Sequence, residues 1–582
     1  MKKQIWSLLD ALRGGSSLPE LTEQFAACCA WVKLSETNKL GNEHQLVNEN
    51  SSFKEQLQKV MNDFVSVWYN AEAKSLPEST LQQLITSLQG LIRANVISYQ
   101  DLSEAIISLL EEGGKGYGGL TIPDELTTLG VSLLEDKVKT VYCPFTAGYA
   151  FAHKLPMHSI CEGETPLGVD DFYAEVQNVL LDRNFRVTRT DPIFVPTLIG
   201  DGGLKQFQSS IAMPPLGQKY PKSDIHDIWG RFPEKSLMAD VYQLRHMLSH
   251  TSDVVVGFVT NGFLFRSAAG EKLFKQDMLE KNWLKAVIAL PSNLLSSTSI
   301  PLSIVVFDKH KTNDLVLFID ASSEHFVDKS SRVRNKLVNA KQILSVYNAL
   351  DNSEFSKVCS IEEIEAKDYN LSPSRYVLTD EDKALKQFLE QQPTNKLSEL
   401  VEIVRPQAVK HNVDADVEYI EHNLTSLNSI GQLEGDGKRI KVSAKDVGKV
   451  EKQKIQEGDV LVSCRGAVGR IALVDESIEA NVIASQAFAI LRLKPHVNNL
   501  SSVALYQYLI SEFGQRQLSS FVTGTTAQML SAKDLSNIEV PLFNHDRLEQ
   551  LKEIRSEVLE THNEINELQK KIEQINSSWL SQ

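Results

Sequence analysis

The chain has 582 residues, 42% of them apolar, 23% charged and 7% aromatic, and its formal net charge is −15. These proportions exclude a disordered chain, a collagen-like repeat and a disulfide scaffold, and no run of about 18 apolar residues is present to cross a membrane as a helix. The acidic balance weighs against a protein devoted to nucleic acid along its whole length.

The length predicts about three to five structural units. The start, MKKQIWSLLDALRGG, meets Asp10 and Arg13 before any long apolar core and does not read as a signal peptide. Six cysteines (Cys28, Cys29, Cys143, Cys161, Cys359 and Cys464) include no C-x-x-C pair and no flanking histidine cluster, so reduced thiols in a cytoplasm are expected and a metal site is not.

Residues 1–110 show apolar positions at three- and four-residue steps (Leu8, Leu9, Leu12; Phe25, Cys28, Cys29, Trp31, Val32), which predicts a helical domain. The glycine-rich EEGGKGYGG (111–119) breaks it. From 120 to 330 short apolar runs alternate with helical stretches: KTVYCPF, FQSSIAMPP, DVVVGFVT, LKAVIALP, LSIVVFD and LVLFIDA. That pattern predicts an α/β fold with a mostly parallel sheet covered on both faces, whose ligands bind at the carboxyl ends of the strands. Helices and loops follow to 390, and QQPTNK (391–396) reads as a linker. Residues 391–541 hold short strands (KIQEGDVLVSC, GRIALVD, QAFAILRLK) before turning helical, an α+β pattern. In the tail, 542–582, Leu551, Ile554, Val558, Thr561, Ile565, Leu568, Ile572 and Ile575 alternate steps of three and four, a coiled-coil seam that needs a partner helix.

Several segments together resemble the modification (methyltransferase) subunit of type I restriction–modification systems. They are IWSLLDALRGG, LTEQFAACCAWVKLSE, YGGLTIPDELTTLGVSLLEDKVKTVYCP, the stretch from VVVGFVTNGFLF to LSIVVFDK, LVLFIDAS and DYNLSPSRYV. They cover about residues 1–380 in the expected order. EGDVLVSCRGAVGRIALV, SQAFAILRLK and FVTGTTAQMLSAKDLSNIEVPL resemble a target-recognition domain of the specificity subunits, with a spacer helix after it. The resemblance implies a fused modification and half-specificity chain: a helical domain (1–110), a Rossmann-like methyltransferase domain (111–390), a recognition domain (391–541) and a coiled-coil helix (542–582).

In that family an N-P-P-[FY] loop holds an adenine taken out of the duplex. The Asn oxygen and a Pro carbonyl accept the two amine hydrogens, and the aromatic ring stacks on the base. Here the corresponding residues are Met213, Pro214, Pro215 and Leu216. A thioether is a weak acceptor and leucine has no flat π face. The family's cofactor loop, an acid, a proline and Gly-x-Gly, corresponds to Cys143, Pro144, Ala147, Gly148 and Tyr149. A tyrosine at 149 is expected to intrude on the space for S-adenosylmethionine. Glu164, with Glu162 second, is a candidate ribose-binding carboxylate, and Asp191 a candidate polar residue after the third strand. For each, an ordinary surface acid is the alternative.

The resemblance therefore implies a DNA-binding protein with a degenerate methyltransferase fold, supplying recognition or scaffolding to a restriction or phage-defence complex. S-adenosylmethionine is expected as cofactor only if transfer survives, and otherwise none. The alternatives are an active adenine-N6 methyltransferase and a protein–protein assembly subunit. Lys438 to Arg470 holds nine Lys/Arg against four Asp/Glu. Within it, Lys438, Arg439, Lys441, Arg465 and Arg470 are the candidate contacts to double-stranded DNA, a solvated charged face being the alternative. The glycines of Arg465-Gly466-Ala467-Val468-Gly469-Arg470 fit a tight turn between strands, and Thr523-Gly524-Thr525-Thr526-Ala527-Gln528 is a second polar loop. The expected partners are duplex DNA and, through the tail helix, a second copy or other defence subunits.

Overall fold

The computed structural model describes residues 5, 17–41, 52–65, 76–113, 120–220, 225–411, 414–415, 417–475, 481–521 and 529–578. The chain divides into two compact units, Met1–Val377 and Leu378–Gln582. No described helix is long and apolar enough to cross a membrane.

Among the described residues of the first unit, a layer of four helices comes first: α1 (Leu18–Glu36), α2 (Phe53–Phe64), α3 (Glu78–Arg93) and α4 (Tyr99–Glu112). Ser17 and Glu20 close a capping box at the start of α1, and Ser98 and Asp101 do so for α4. Every residue of α1 from Leu21 to Ser35 is buried, so it is the central helix of this layer rather than an amphipathic surface one. It packs on α2, α3, α4 and a later helix, α7 (Gly168–Leu181). One continuous apolar core joins α1 to the sheet, so 1–110 and the residues after it form one unit.

Nine strands form the main sheet: β1 (Thr140–Tyr142), β2 (Ile160–Thr165), β3 (Phe185–Arg189), β4 (Phe207–Ala212), β5 (Thr251–Thr260), β6 (Leu284–Ala289), β7 (Leu302–Asp308), β8 (Leu315–Asp320) and β9 (Ser356–Ser360). Their order is β9-β8-β6-β7-β5-β4-β1-β2-β3. Five of the eight pairings are parallel, and β7 runs antiparallel between β5 and β6. The central strands are apolar on both faces because helices cover both. β2, β3 and β9 carry polar sequences (ICEGET, FRVTR, SKVCS) and were not marked by apolar runs. The chain passes from β1 outward to β3, then returns to β4 on the other side of β1. This reversal opens a crevice at the carboxyl ends of β1 and β4. α5 (Asp124–Ser132) leads into β1, and between later strands lie α6 (Gly148–Ala152), α7 and α8 (Ala239–Ser249).

Among its described residues the second unit holds nine strands; Thr394–Lys396 pairs with Glu539–Pro541, and the other seven form two sheets. β10 (Val401–Val404), β13 (Val460–Ser463), β14 (Ile471–Leu473) and β16 (Phe488–Leu493) form an antiparallel sheet ordered β10-β16-β13-β14. β11 (Val417–His422), β12 (Lys438–Val442) and β15 (Val482–Ala484) form a second, ordered β12-β11-β15. Helices α9 (Ser502–Ile510) and α10 (Glu512–Phe521) pack nearby, and α11 (His545–Ser578) closes the chain. The division falls after Val377 rather than at 390. The helix Asp380–Glu390 belongs to the second unit, because Asp382 accepts from Arg516 at 2.6 Å and Phe388 stacks on Phe513 at 4.4 Å.

Helix α11 has 34 residues, about 50 Å at 1.5 Å per residue. Its first turns are anchored by Leu548 and Leu551 in the apolar core, and by Arg555. The Arg555 guanidinium pairs with Asp475, donates to the Ile430 carbonyl and lies 4.6 Å over the Tyr506 ring. Beyond that root the seam is open to solvent: Ile565, Leu568 and Ile572 are 46%, 60% and 57% exposed.

Candidate functional site

A cleft of about 620 Å³ sits at the topological reversal. Met213, Pro214, Pro215 and Leu216, which follow β4, form one wall. Phe145 and Thr146 after β1, Pro166 and Leu167 after β2, and Asp191 after β3 form the floor, and Leu295 to Thr298 face them. The four residues expected to hold a base and the candidate Asp191 therefore meet in one place. Burial raises the Asp191 carboxyl above its usual range, opposed by the Ile193 backbone N–H that donates to it at 3.0 Å.

The residues expected to hold a cofactor lie elsewhere. Cys143, Pro144, Ala147, Gly148, Tyr149 and Glu164 do not line the cleft. Tyr149 does not intrude: its ring is packed in the core, and its hydroxyl donates to the Leu120 carbonyl at 2.6 Å. The side chain of the first residue after the loop's single glycine turns toward α5 instead of toward the crevice. Cys143 is buried, and burial pushes its thiol well above its usual range, so it stays a neutral thiol where a carboxylate is expected. Ala147 occupies a left-handed backbone conformation (φ 55°, ψ 26°), which costs a side-chain-bearing residue about 1–2 kcal/mol. Its N–H donates to Asp170 Oδ1 at 2.8 Å. A Cβ on Gly148 would fall 2.3 Å from the Cys143 carbonyl oxygen, so this glycine serves the loop's own packing.

Glu164 is fully buried and absent from the cleft lining. One carboxylate oxygen accepts from Thr197 N and Oγ1 at 2.5 and 2.7 Å, and the other from the Tyr142 hydroxyl at 2.6 Å. Glu162 pairs with Lys205 at 2.6 Å. Behind Tyr142 stands His246 of α8, with Nε2 at 2.7 Å from that hydroxyl and Nδ1 at 2.8 Å from Arg231 Nη1. Arginine only donates, so Nδ1 accepts and the ring proton sits on Nε2. The order of donation is then Arg231 to His246 to Tyr142 to Glu164. Glu164, His246 and His250 bring ligand atoms within 4.8 Å of one another. Both His246 nitrogens are already engaged and the Arg231 charge adjoins them, so the group is a hydrogen-bond chain and not a cation cage. Burial, helped by the neighbouring His250 and Arg231, holds the His246 pKa well below its usual value. Sequence reasoning missed this chain; the i, i+4 spacing of His246 and His250 on one helix was its only signal.

In the second unit Lys438 and Arg439 are exposed on β12, Arg439 pairing with Glu418 at 3.2 Å, and Lys441 is half-buried. Arg465 is exposed and donates to Gln486 Oε1 at 3.1 Å. Arg470 is not a free cation: its guanidinium donates to the Leu424 and Leu427 carbonyls at 3.0 and 2.9 Å and pins that loop. Gly466 and Gly469 have φ of 77° and 89°, the left-handed backbone that the turn between β13 and β14 requires. The polar loop Thr523–Gln528 lies outside the described residues.

An α/β sheet with this reversal, a cleft on the loop after β4, and a separate α+β unit define a methyltransferase fold joined to a recognition module. Residues 173–384 match the N-6 DNA Methylase family, and residues 392–576 match the Type I restriction modification DNA specificity domain family. One polypeptide thus holds a region matching a DNA methylase family and a region matching a type I specificity family. It is 30% identical over 331 residues to the type I restriction enzyme MjaVIII methylase subunit of Methanocaldococcus jannaschii, covering 49% of this chain and 55% of that protein. It is 33% identical over 92 residues to the EcoBI specificity subunit of Escherichia coli, covering 16% and 19%. The chain spans about half or less of the length of the curated relatives it matches. Among solved structures, the type I methyltransferase subunit from Streptococcus thermophilus superposes with a TM-score of 0.50 at 19% identity, over 65% of this chain and 98% of that one.

Proposed function

We propose that this chain recognises double-stranded DNA through its second unit, and that its methyltransferase-like unit does not transfer a methyl group. It would act as a recognition or scaffolding component of a restriction or phage-defence complex in the cytoplasm. The observation that carries the reading is Glu164. Three donors engage both oxygens of its carboxylate, which does not line the cleft, so no acid from β2 is free for a ribose. With a neutral Cys143, a left-handed Ala147 and a Gly148 that only relieves its own chain, these residues do not fit S-adenosylmethionine. Duplex binding is assigned to Lys438, Arg439, Lys441 and Arg465, with Arg470 as a positioning residue.

The open seam of α11 supports assembly with a second copy, or with another defence subunit, through paired helices. Equilibrium dialysis with labelled S-adenosylmethionine, followed by a transfer assay on a random duplex pool, tests the reading. Neither binding nor transfer is expected, while the pool yields an enriched sequence. The second reading, an active adenine-N6 methyltransferase, draws on the loop after β4, which still borders the cleft; labelled methyl in DNA would establish it.

A further inference from the structure

The cleft that survives beside Met213 has a chemistry of its own. Pro214 and Pro215 have no backbone N–H, so this pair offers carbonyl acceptors and no backbone donors. Among the described residues nothing donates to either carbonyl. Beside them stand a buried thioether, Met213, and the half-buried Leu216. A ligand edge that suits this wall carries one N–H with an apolar substituent next to it. A primary exocyclic amine carries two N–H groups, and its second would face the Met213 sulfur, a poor acceptor. Replacing that hydrogen by a methyl group removes the unpaired donor and gives the thioether and Leu216 something to touch. The ring faces would lie between Leu216 and Leu295, and Ser296 and Thr298 offer hydroxyls to ring nitrogens or sugar.

We infer that the cleft binds a nucleobase whose exocyclic amine is already N-methylated, which makes the first unit a reader of methylation. This rests on the reading that duplex DNA is the chain's partner. The shared chemistry is the secondary amine, found in both N6-methyladenine and N4-methylcytosine.

Two arms test it on the full chain. In the first, calorimetric titrations compare N6-methyl-2′-deoxyadenosine and N4-methyl-2′-deoxycytidine with their unmethylated nucleosides. One methylated nucleoside is expected to bind about tenfold tighter than its parent, from one buried methyl and one unpaired N–H avoided. Met213→Asn, which restores an acceptor, is expected to abolish or invert that preference, while Met213→Leu keeps it. Equal affinities, absent binding, or a preference unchanged by Met213→Asn would overturn the inference. In the second arm, duplex pools with and without the methylated base compete for the protein at stated salt. An enriched sequence without methyl preference refutes the reader and leaves DNA recognition standing. No enrichment refutes recognition, and the nucleoside arm still decides the cleft.

Discussion

Asp170 offers a quantitative test of how the first loop is held. Its carboxyl is completely buried at the start of α7, accepts the Ala147 N–H, and is raised by burial from 3.8 to about 7. Between those two pH values the folded chain holds a proton that the unfolded chain has released. Stability therefore falls as pH rises through that window and levels off above about 7. The gap corresponds to about 4 kcal/mol at 1.36 kcal/mol per pH unit, and water admitted around the ionised group lowers this to about 2 kcal/mol. Asp170→Asn keeps an oxygen for Ala147 but cannot ionise. Urea unfolding at pH 5, 6, 7 and 8, followed by tryptophan fluorescence, reports mainly on the first unit, because five of the six tryptophans precede residue 378. The variant should gain about 1–2.5 kcal/mol relative to the parent between the ends of that series, since part of the window lies below pH 5. A difference between the two proteins that stays constant with pH would refute the assignment of the buried charge.

Four further outcomes are expected. Gly148→Ala should destabilise the first unit by about 1–3 kcal/mol, since its Cβ has nowhere to go beside the Cys143 carbonyl. Ala147→Gly should stabilise by about 0.5–1 kcal/mol in the same urea assay, the relief of left-handed strain exceeding the entropy of the new glycine. Ile565→Asp with Leu568→Asp should shift sedimentation from dimer to monomer at micromolar concentration without altering the melting of the second unit, because both side chains are exposed. Reversing Lys438 and Arg439 to Glu should weaken duplex binding across sequences. Each phosphate contact removed should lower the slope of log affinity against log salt by about 1. Unchanged anisotropy titrations would remove β12 from the interface.

The apolar strands were legible because burial on both faces forces continuous runs such as VVVGFVT and LKAVIALP. The polar ICEGET and FRVTR were not, since pairing and not composition makes them strands. The loop after β4 and Asp191 were picked out by the resemblance to the methyltransferase family, and they meet because a parallel sheet sends its carboxyl ends to one side. What the sequence could not convey was direction. Tyr149 and Glu164 stand next to the crevice in the chain, yet their side chains leave it, for reasons supplied by Leu120, Tyr142 and Thr197 at distances no local pattern spans. Arg470 likewise looked available until two carbonyls claimed it, and the helix at 380–390 was assigned to the earlier domain because its partners Arg516 and Phe513 lie more than a hundred residues on.

The knot around Glu164 also bears on repair. Returning Cys143 to aspartate would restore one carboxylate at the tip of β1 and leave the other tied to Tyr142 and Thr197. A single exchange in the first loop therefore cannot release the second acid, which stays engaged until both of its neighbours let go.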